Sequence, residues 1–301
     1  MAANNTRNVF FRMISELMSK DNNIYIVSVD LAGPPFDEIR NTYPDRYIPV
    51  GIAEQNSIAV SCGLASLGKK VIVYAANPFP LFRAFDQIRN CACTMNLPII
   101  IVGLGTGFSV SECGTTHLTI EDIALSSLCS GLDIFSVSDI DVARKLAESI
   151  YLFNRPTYIR FGKWSDEPLS NYADIDFCKG YREIAKGNKV AIISTGCTVK
   201  LIKEMNLPDD VSLIDWFKLS STTCLIEKLK NFETIITVEE HQLRGGLGSI
   251  ILERFNDLGI NKIIKRIGID LLDSYPQEYG NREYWLDKFM ISKQHILDLL
   301  K

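Results

Sequence analysis

The chain has 301 residues, enough for two domains of ordinary size, with about half of them apolar and about a quarter charged, the balance of a soluble globular protein. A net charge of −4 with scattered basic residues excludes a nucleic-acid surface, no apolar run approaches the length of a membrane span, and the polar segment 1–7 lacks a signal-peptide core, so a cytoplasmic protein is expected. Eight cysteines include no CxxC, and the three histidines lie beyond helical reach of one another, which predicts reduced thiols and no zinc site.

Along the first half, β-branched runs predict strands over 24–29, 71–75, 99–103, 134–137 and 157–160. Helical periodicity fills the intervals at about 7–19, 53–67, 82–95, 120–129 and 139–153. Ser138 is placed to cap the last of these, with Asp139 and Asp141 near the positive end of its dipole. The strands are apolar nearly throughout, so their sheet is parallel and covered on both faces. After a polar break the alternation restarts, with strands over 190–194, 211–215, 234–238 and 263–267. The expected organisation is α/β throughout: a mostly parallel-sheet domain over 1–165, a linker over 166–180 and a second α/β domain over 181–301.

Ligands bind open α/β sheets at the carboxyl ends of strands. Three segments fall there: Gly51-Ile52-Ala53-Glu54-Gln55-Asn56, Asn77-Pro78-Phe79-Pro80-Leu81-Phe82-Arg83-Ala84-Phe85-Asp86-Gln87, and Glu112-Cys113-Gly114-Thr115-Thr116-His117. Downstream lie Thr237-Val238-Glu239-Glu240-His241 and the run Gly245-Gly246-Leu247-Gly248, read as a tight strand-to-helix turn because it lacks the phosphate-loop spelling. In spelling and order these segments resemble the pyrimidine-binding and C-terminal domains of transketolases and deoxyxylulose-phosphate synthases, from about residue 6 to the end.

The resemblance implies thiamine diphosphate as cofactor. It implies that Glu54 hydrogen-bonds a ring nitrogen of the aminopyrimidine and favours the imino tautomer that deprotonates the thiazolium carbon. Such a carboxyl must share a proton near neutral pH, a task that burial favours and a helix N-terminus opposes. Phe79 and Phe82 are the candidate aromatic wall of the pyrimidine pocket, with Phe82 expected to stack on the ring. Asp30 and Leu31 match an Ala-Asp-Leu stretch near the thiazolium and the subunit interface. His117 matches a histidine that faces substrate hydroxyls, and Arg160 an arginine that binds phosphate or a distal hydroxyl. Cys113 stands where the family has an aspartate that recognises a sugar hydroxyl, a charged hydrogen bond that a thiol cannot replace. Gly105 aligns with a second, phosphate-contacting histidine, so ordinary pentose phosphates are in question as substrates.

The family holds the diphosphate and Mg²⁺ in another domain, through a Gly-Asp-Gly stretch that this sequence lacks. Together with a start at Met1, where the pyrimidine domain of a full-length transketolase would begin, this leads to the expectation of a split enzyme. Its N-terminal subunit would carry the diphosphate and Mg²⁺ site, the assembly would be a dimer of heterodimers, or a self-associated homodimer when the partner is absent, and a partly apolar face would surround Glu54 and Phe82. The expected reaction transfers a two-carbon ketol unit from a ketose to an aldose. The alternatives are decarboxylation of a 2-oxo acid, as in deoxyxylulose-phosphate synthases and the β subunits of 2-oxo acid dehydrogenases, and a non-catalytic scaffold subunit.

Overall fold

A computed structural model describes residues 5–30, 33–163, 167–271 and 274–300. The apolar runs of the first half form β1 (Ile24–Ser28), β3 (Lys70–Ala76), β4 (Ile99–Leu104), β5 (Asp133–Val137) and β6 (Thr157–Phe161), joined by a short strand β2 (Tyr47–Pro49). They make one six-stranded sheet in the order β2-β1-β3-β4-β6-β5, every pairing parallel. Periodicity did not reveal β2, because three residues ending in a proline carry no alternation and suit only a sheet edge.

Around this sheet lie α1 (Thr6–Met18), α2 (Pro34–Thr42), α3 (Glu54–Ser66), the short α4 (Phe79–Phe82) and α5 (Phe85–Gln87), α6 (Asp122–Ser127) and α7 (Ile140–Glu148). The helix expected over 82–95 is broken at Arg83–Ala84 and continues after α5 as a π-helical turn over Ile88–Cys93. The cap of α7 is Asp139 rather than Ser138: its Oδ1 accepts the amides of Asp141 and Val142 at 3.0 and 2.9 Å. Ser138 instead donates its hydroxyl to Asp215 Oδ2 at 2.5 Å, drawn away by the second sheet.

That second sheet contains β7 (Tyr181–Ala185), β8 (Val190–Ser194), β9 (Val211–Trp216), β10 (Thr234–Gln242) and β11 (Ile263–Ile269), in the order β11-β10-β8-β9-β7. It is parallel except for β7, an antiparallel edge strand that the hydrophobic pattern does not reveal. Its helices are α8 (Cys197–Lys203), α9 (Thr223–Leu229), α10 (Leu247–Asp257), α11 (Arg282–Lys288) and α12 (Lys293–Asp298).

The two sheets share a core. One apolar cluster runs from Val27, Val73 and Ile101 of the first to Ile193, Ile214 and Trp216 of the second. Backbone bonds also cross, Ser136 N donating to Phe217 O and Leu219 N to Ile134 O, each at 2.8 Å. Arg182, wholly buried, closes the junction by donating to Asp215 Oδ2 at 2.9 Å, Asp139 Oδ2 at 2.8 Å and Ser138 Oγ at 3.1 Å. Burial pushes the Asp215 carboxyl up to about 6 despite the Arg182 guanidinium beside it. Buried ion pairs add little net stability, but their directional bonds favour a single orientation of the two sheets.

Candidate cofactor and substrate site

The strand order reverses between β1 and β3, since the chain leaves β1 for the edge strand β2 and then crosses back. A crevice at the carboxyl ends of the strands follows from such a reversal. The connections after β2 and β3 deliver Glu54 and Phe79 to it. Glu54 opens α3 behind Ala53, whose side chain cannot cap the helix, so a carboxylate sits in the first turn, near the free amides. Its residue is 5% exposed, and Oε1 accepts a charged hydrogen bond from Arg83 Nη1 at 3.0 Å.

Arg83 links the site together. It follows Phe79 by one helical turn, so its guanidinium reaches back over that ring, Cζ lying 4.2 Å from the centroid. Phe79 also meets His117, with centroids 5.1 Å apart in an edge-to-face arrangement. Glu54, Arg83, Phe79 and His117 therefore form one continuous chain of contacts from three separate connections. Sequence reasoning gave Arg83 no role of its own, although its four-residue spacing from Phe79 was the available signal.

Phe82 is turned elsewhere. It is 41% exposed and borders a groove of about 680 Å³ with Phe85, Leu125, Leu128, Arg244 and Ile250. The ring contact with His117 is made by Phe79, while Phe82 borders the groove. Of the expected apolar face, Ile52 and Leu128 are each 73% exposed, the first two residues before Glu54 and the second across the groove from Phe82. Asp30 follows β1 in the left-handed region with φ 44°, exposed to solvent. Leu31 lies outside the described residues.

His117 closes a pair of 3₁₀ turns, Ser111–Cys113 and Thr115–His117, and its Nδ1 lies 3.0 Å from Thr116 Oγ1. Cys113 is exposed on the same loop. The second sheet's connection after β11 braces this loop from outside: Thr115 Oγ1 donates to the Pro276 carbonyl, and the Tyr279 ring fills the space a Cβ on Gly114 would need. Gly114, at φ 78°, suits the position on both counts.

Arg160 reaches a different environment from the open anion site that its place at a strand end suggests. Its guanidinium is buried and bidentate on Asp122, Nε to Oδ2 at 2.8 Å and Nη2 to Oδ1 at 2.9 Å, with Nη1 on Ser136 Oγ at 3.2 Å. Tyr158 donates to the same carboxylate at 2.9 Å and accepts from Asn77 Nδ2 at 2.8 Å. Beyond Arg160 a small cavity of about 10 Å³ is lined also by Thr195, Cys197, Glu239 and His241, room for one water and not for a sugar.

On that side, Glu239 takes the place an external anion would take at α10: its carboxylate accepts the amides of Leu247 and Gly248 at 2.7 and 3.1 Å. Burial nevertheless pushes it up to about 7 against the pull of those amides. Burial holds His241 down to about 4. Its Nδ1 then donates to Gln242 O at 2.7 Å, and Nε2 accepts from Ala124 N at 3.4 Å across the junction. No three metal-ligating side chains converge among the described residues, and no helix there is long and apolar enough to cross a membrane.

A reversing parallel sheet with a buried carboxylate and an aromatic ring at its switch point defines a cofactor-binding α/β unit joined to a second α/β unit. Residues 2–165 match the family model described as "Transketolase, pyrimidine binding domain", and the chain belongs to that family. It is 31% identical over 236 residues to an apulose-4-phosphate transketolase subunit of Actinobacillus succinogenes, covering 75% of each chain. It is 29% identical to a putative transketolase C-terminal section of Methanocaldococcus jannaschii, covering 85% of this chain and 83% of that one. The 1-deoxy-D-xylulose-5-phosphate synthase of Clostridium perfringens, 29% identical over 86% of this chain, is matched over only 43% of its own length. Among solved structures, one described as "Split gene transketolase, inactive beta4 tetramer" shares the fold at TM-score 0.80 and 23% identity, covering 98% and 96% of the two chains. Campylobacter jejuni transketolase aligns at TM-score 0.77 and 16% identity, over 98% of this chain and 46% of its own. The pyrimidine-binding domain implies thiamine diphosphate as the cofactor.

Proposed function

We propose that this chain is the C-terminal subunit of a split transketolase-like enzyme, cytoplasmic, that transfers a two-carbon ketol unit from a ketose donor to an aldose acceptor. A separate N-terminal subunit would hold the diphosphate and Mg²⁺, two copies of each making the active assembly. The observation that carries the reading is the contact chain Glu54–Arg83–Phe79–His117 at the sheet's switch point. The relatives support it: one is named as a transketolase subunit and another as a transketolase C-terminal section.

The residues fit the pyrimidine half of the cofactor. A carboxylate beside an aromatic face and an imidazole offers an acceptor for a ring N–H and a surface for a planar heterocycle. When bound, thiamine diphosphate supplies the electron sink that cleavage of a carbon–carbon bond next to a carbonyl requires. In this reading Glu54 accepts and shares a proton at the ring nitrogen, held in plane by the Arg83 bond to Oε1. Phe79 presents its ring to the pyrimidine, in place of the outward-turned Phe82. His117, with Nδ1 engaged by Thr116, offers Nε2 to a substrate hydroxyl. Arg160 shapes the floor through Asp122 and meets no ligand directly, and Cys113 lines the rim.

The synthase-type decarboxylation is the second reading, favoured by a 28% identical synthase of Caldanaerobacter subterraneus that matches 97% of this chain. Calorimetric titration of thiamine diphosphate with Mg²⁺ tests the split-enzyme proposal. Binding is expected only after the N-terminal subunit is added, and about ten-fold weaker or worse in Glu54→Gln, the loss of one charge-assisted hydrogen bond. Tight binding by this chain alone would refute the split site. Ketose turnover by the assembled pair, against 2-oxo acid turnover, separates the two chemistries.

A further inference from the structure

The connection that carries His117, residues 105–121, is gripped by the second unit at two points. Near its start, the Phe108 amide donates to Glu240 Oε2 at 3.1 Å, and the other oxygen of that carboxylate accepts from Arg282 Nε at 2.9 Å. The buried Phe108 ring also stacks on Trp285, with centroids 6.1 Å apart. Near its end, Thr115 donates to the carbonyl of buried Pro276. The segment 276–282 joins these anchors, and one of its side chains is not used by them. Tyr279 is 75% exposed although its ring lies against Gly114. The Gly114 carbonyl accepts the His117 amide at 3.0 Å, so the ring stands one 3₁₀ turn from that histidine, a rise of about 6 Å.

We propose that Tyr279 is a specificity-determining residue of the substrate site, a ring lent by the second unit as the wall against which the aldose part of the substrate lies. The inference rests on the transferase reading above and adds to it the recognition of the substrate's far end. Three features support it. The ring stands at the exposed rim of the loop, with Cys113 and Thr116 exposed on either side of the Gly114–Thr115 step. Cys113, the side chain before Gly114, is a thiol, a weak donor with no charge to offer a sugar hydroxyl. The neighbouring ring supplies what the thiol lacks. Its face gives flat apolar area and a negative quadrupole to the carbon-bound hydrogens of a hydroxylated chain, and its phenol both donates and accepts. Lastly, the backbone of Tyr279 is fixed from both sides. Pro276 is held by Thr115 three residues before it, and Asn281 caps α11 two residues after it, accepting the Tyr284 amide at 2.9 Å. A recognition group is best carried by such an anchored segment.

The chemistry of ketol transfer makes this wall common to both substrates. The aldose released from the donor and the aldose that takes up the two-carbon unit occupy the same place in turn, so each lies along the ring. Selection by length follows. A chain that extends past His117 gains the contact with Tyr279, whereas a two-carbon aldehyde ends before reaching it.

The test has two arms that fail separately. Saturation-transfer NMR on the full chain, with D-erythrose and D-ribose as probes, needs neither cofactor nor partner. Transfer from aromatic protons to the carbon-bound protons of the sugar is expected, reduced about three-fold or more in Tyr279→Ala and kept in Tyr279→Phe. The second arm uses the assembled pair with thiamine diphosphate and Mg²⁺. Tyr279→Ala should raise KM for the same two aldoses about ten-fold, the loss of one aromatic contact, while KM for glycolaldehyde stays within about two-fold. Should Tyr279→Ala loosen the loop by circular dichroism, Tyr279→Leu, which keeps bulk without a ring, decides the same question. Equal transfer in Tyr279→Ala and wild type, or a KM rise that ignores aldose length, would overturn the proposal. So would a fall in kcat with KM unchanged, which would make Tyr279 a brace for the His117 loop. A pair that turns over no ketose while the Tyr279-dependent transfer persists would refute the transferase reading and support the sugar contact.

Discussion

Asp122→Asn replaces a carboxylate of zero side-chain exposure whose two oxygens are both engaged by Arg160, one of them also by Tyr158. The substitution keeps the shape and removes the charge, leaving a guanidinium buried at 5% exposure with a neutral partner that can accept at only one atom. Breaking a buried pair from one side costs about 3–5 kcal/mol, because the remaining charge keeps its desolvation penalty. At about 2 °C per kcal/mol for a chain of this size, the melting temperature should fall by about 6–10 °C. Scanning calorimetry or urea unfolding reads this directly. Arg160→Met in the Asp122→Asn background should recover much of the loss, since the pair then leaves together, with a coupling of about 2 kcal/mol or more across the cycle. A melting temperature within about 2 °C of wild type in Asp122→Asn would refute the reasoning. With a selective rise in substrate KM in Arg160→Met, such a result would return Arg160 to an open, ligand-facing role.

Glu239 makes stability depend on pH. Its folded pKa of about 7 lies above the ordinary carboxylate value of 4.5, so its contribution is fully present below about 4.5 and is lost as pH rises through about 7. Glu239→Gln should therefore gain about 3 kcal/mol relative to wild type between about pH 4.5 and 8, on top of a pH-independent offset, in urea titrations at each pH. An unchanged difference across that range would show Glu239 to be charged throughout. Gly103→Ala should cost about 1–3 kcal/mol by equilibrium unfolding, because the new Cβ would lie 2.0 Å from Asn77 Oδ1, and Asn77 is pinned to Tyr158. A neutral outcome there would mean that the Asn77–Tyr158 bond is dispensable.

Much of this protein was legible in one dimension. Burial on both faces of a parallel sheet forces continuous β-branched runs, so β1, β3, β4, β5 and β6 announced themselves, as did the restart at β8. The loop ending in His117 could be placed for a related reason, since it follows β4, a strand that the pattern reveals, whereas the motif around Glu54 was legible by its spelling. Short edge strands gave no such signal, and β2 and β7 appeared only when neighbours supplied their hydrogen bonds.

Side-chain direction was the other thing that the sequence could not carry. Phe79 and Phe82 are equivalent as letters, and only the folded chain shows that Phe79 meets His117 while Phe82 borders a groove. Arg160 reads as a cation available to an anion until Asp122, far away in the chain, closes on it with both oxygens. Local pattern determines which segments become strands and helices, because it follows from the period of each element. Which side chains share a crevice, and which are taken up by a partner before any ligand arrives, depends on contacts between distant segments that only the folded chain brings together.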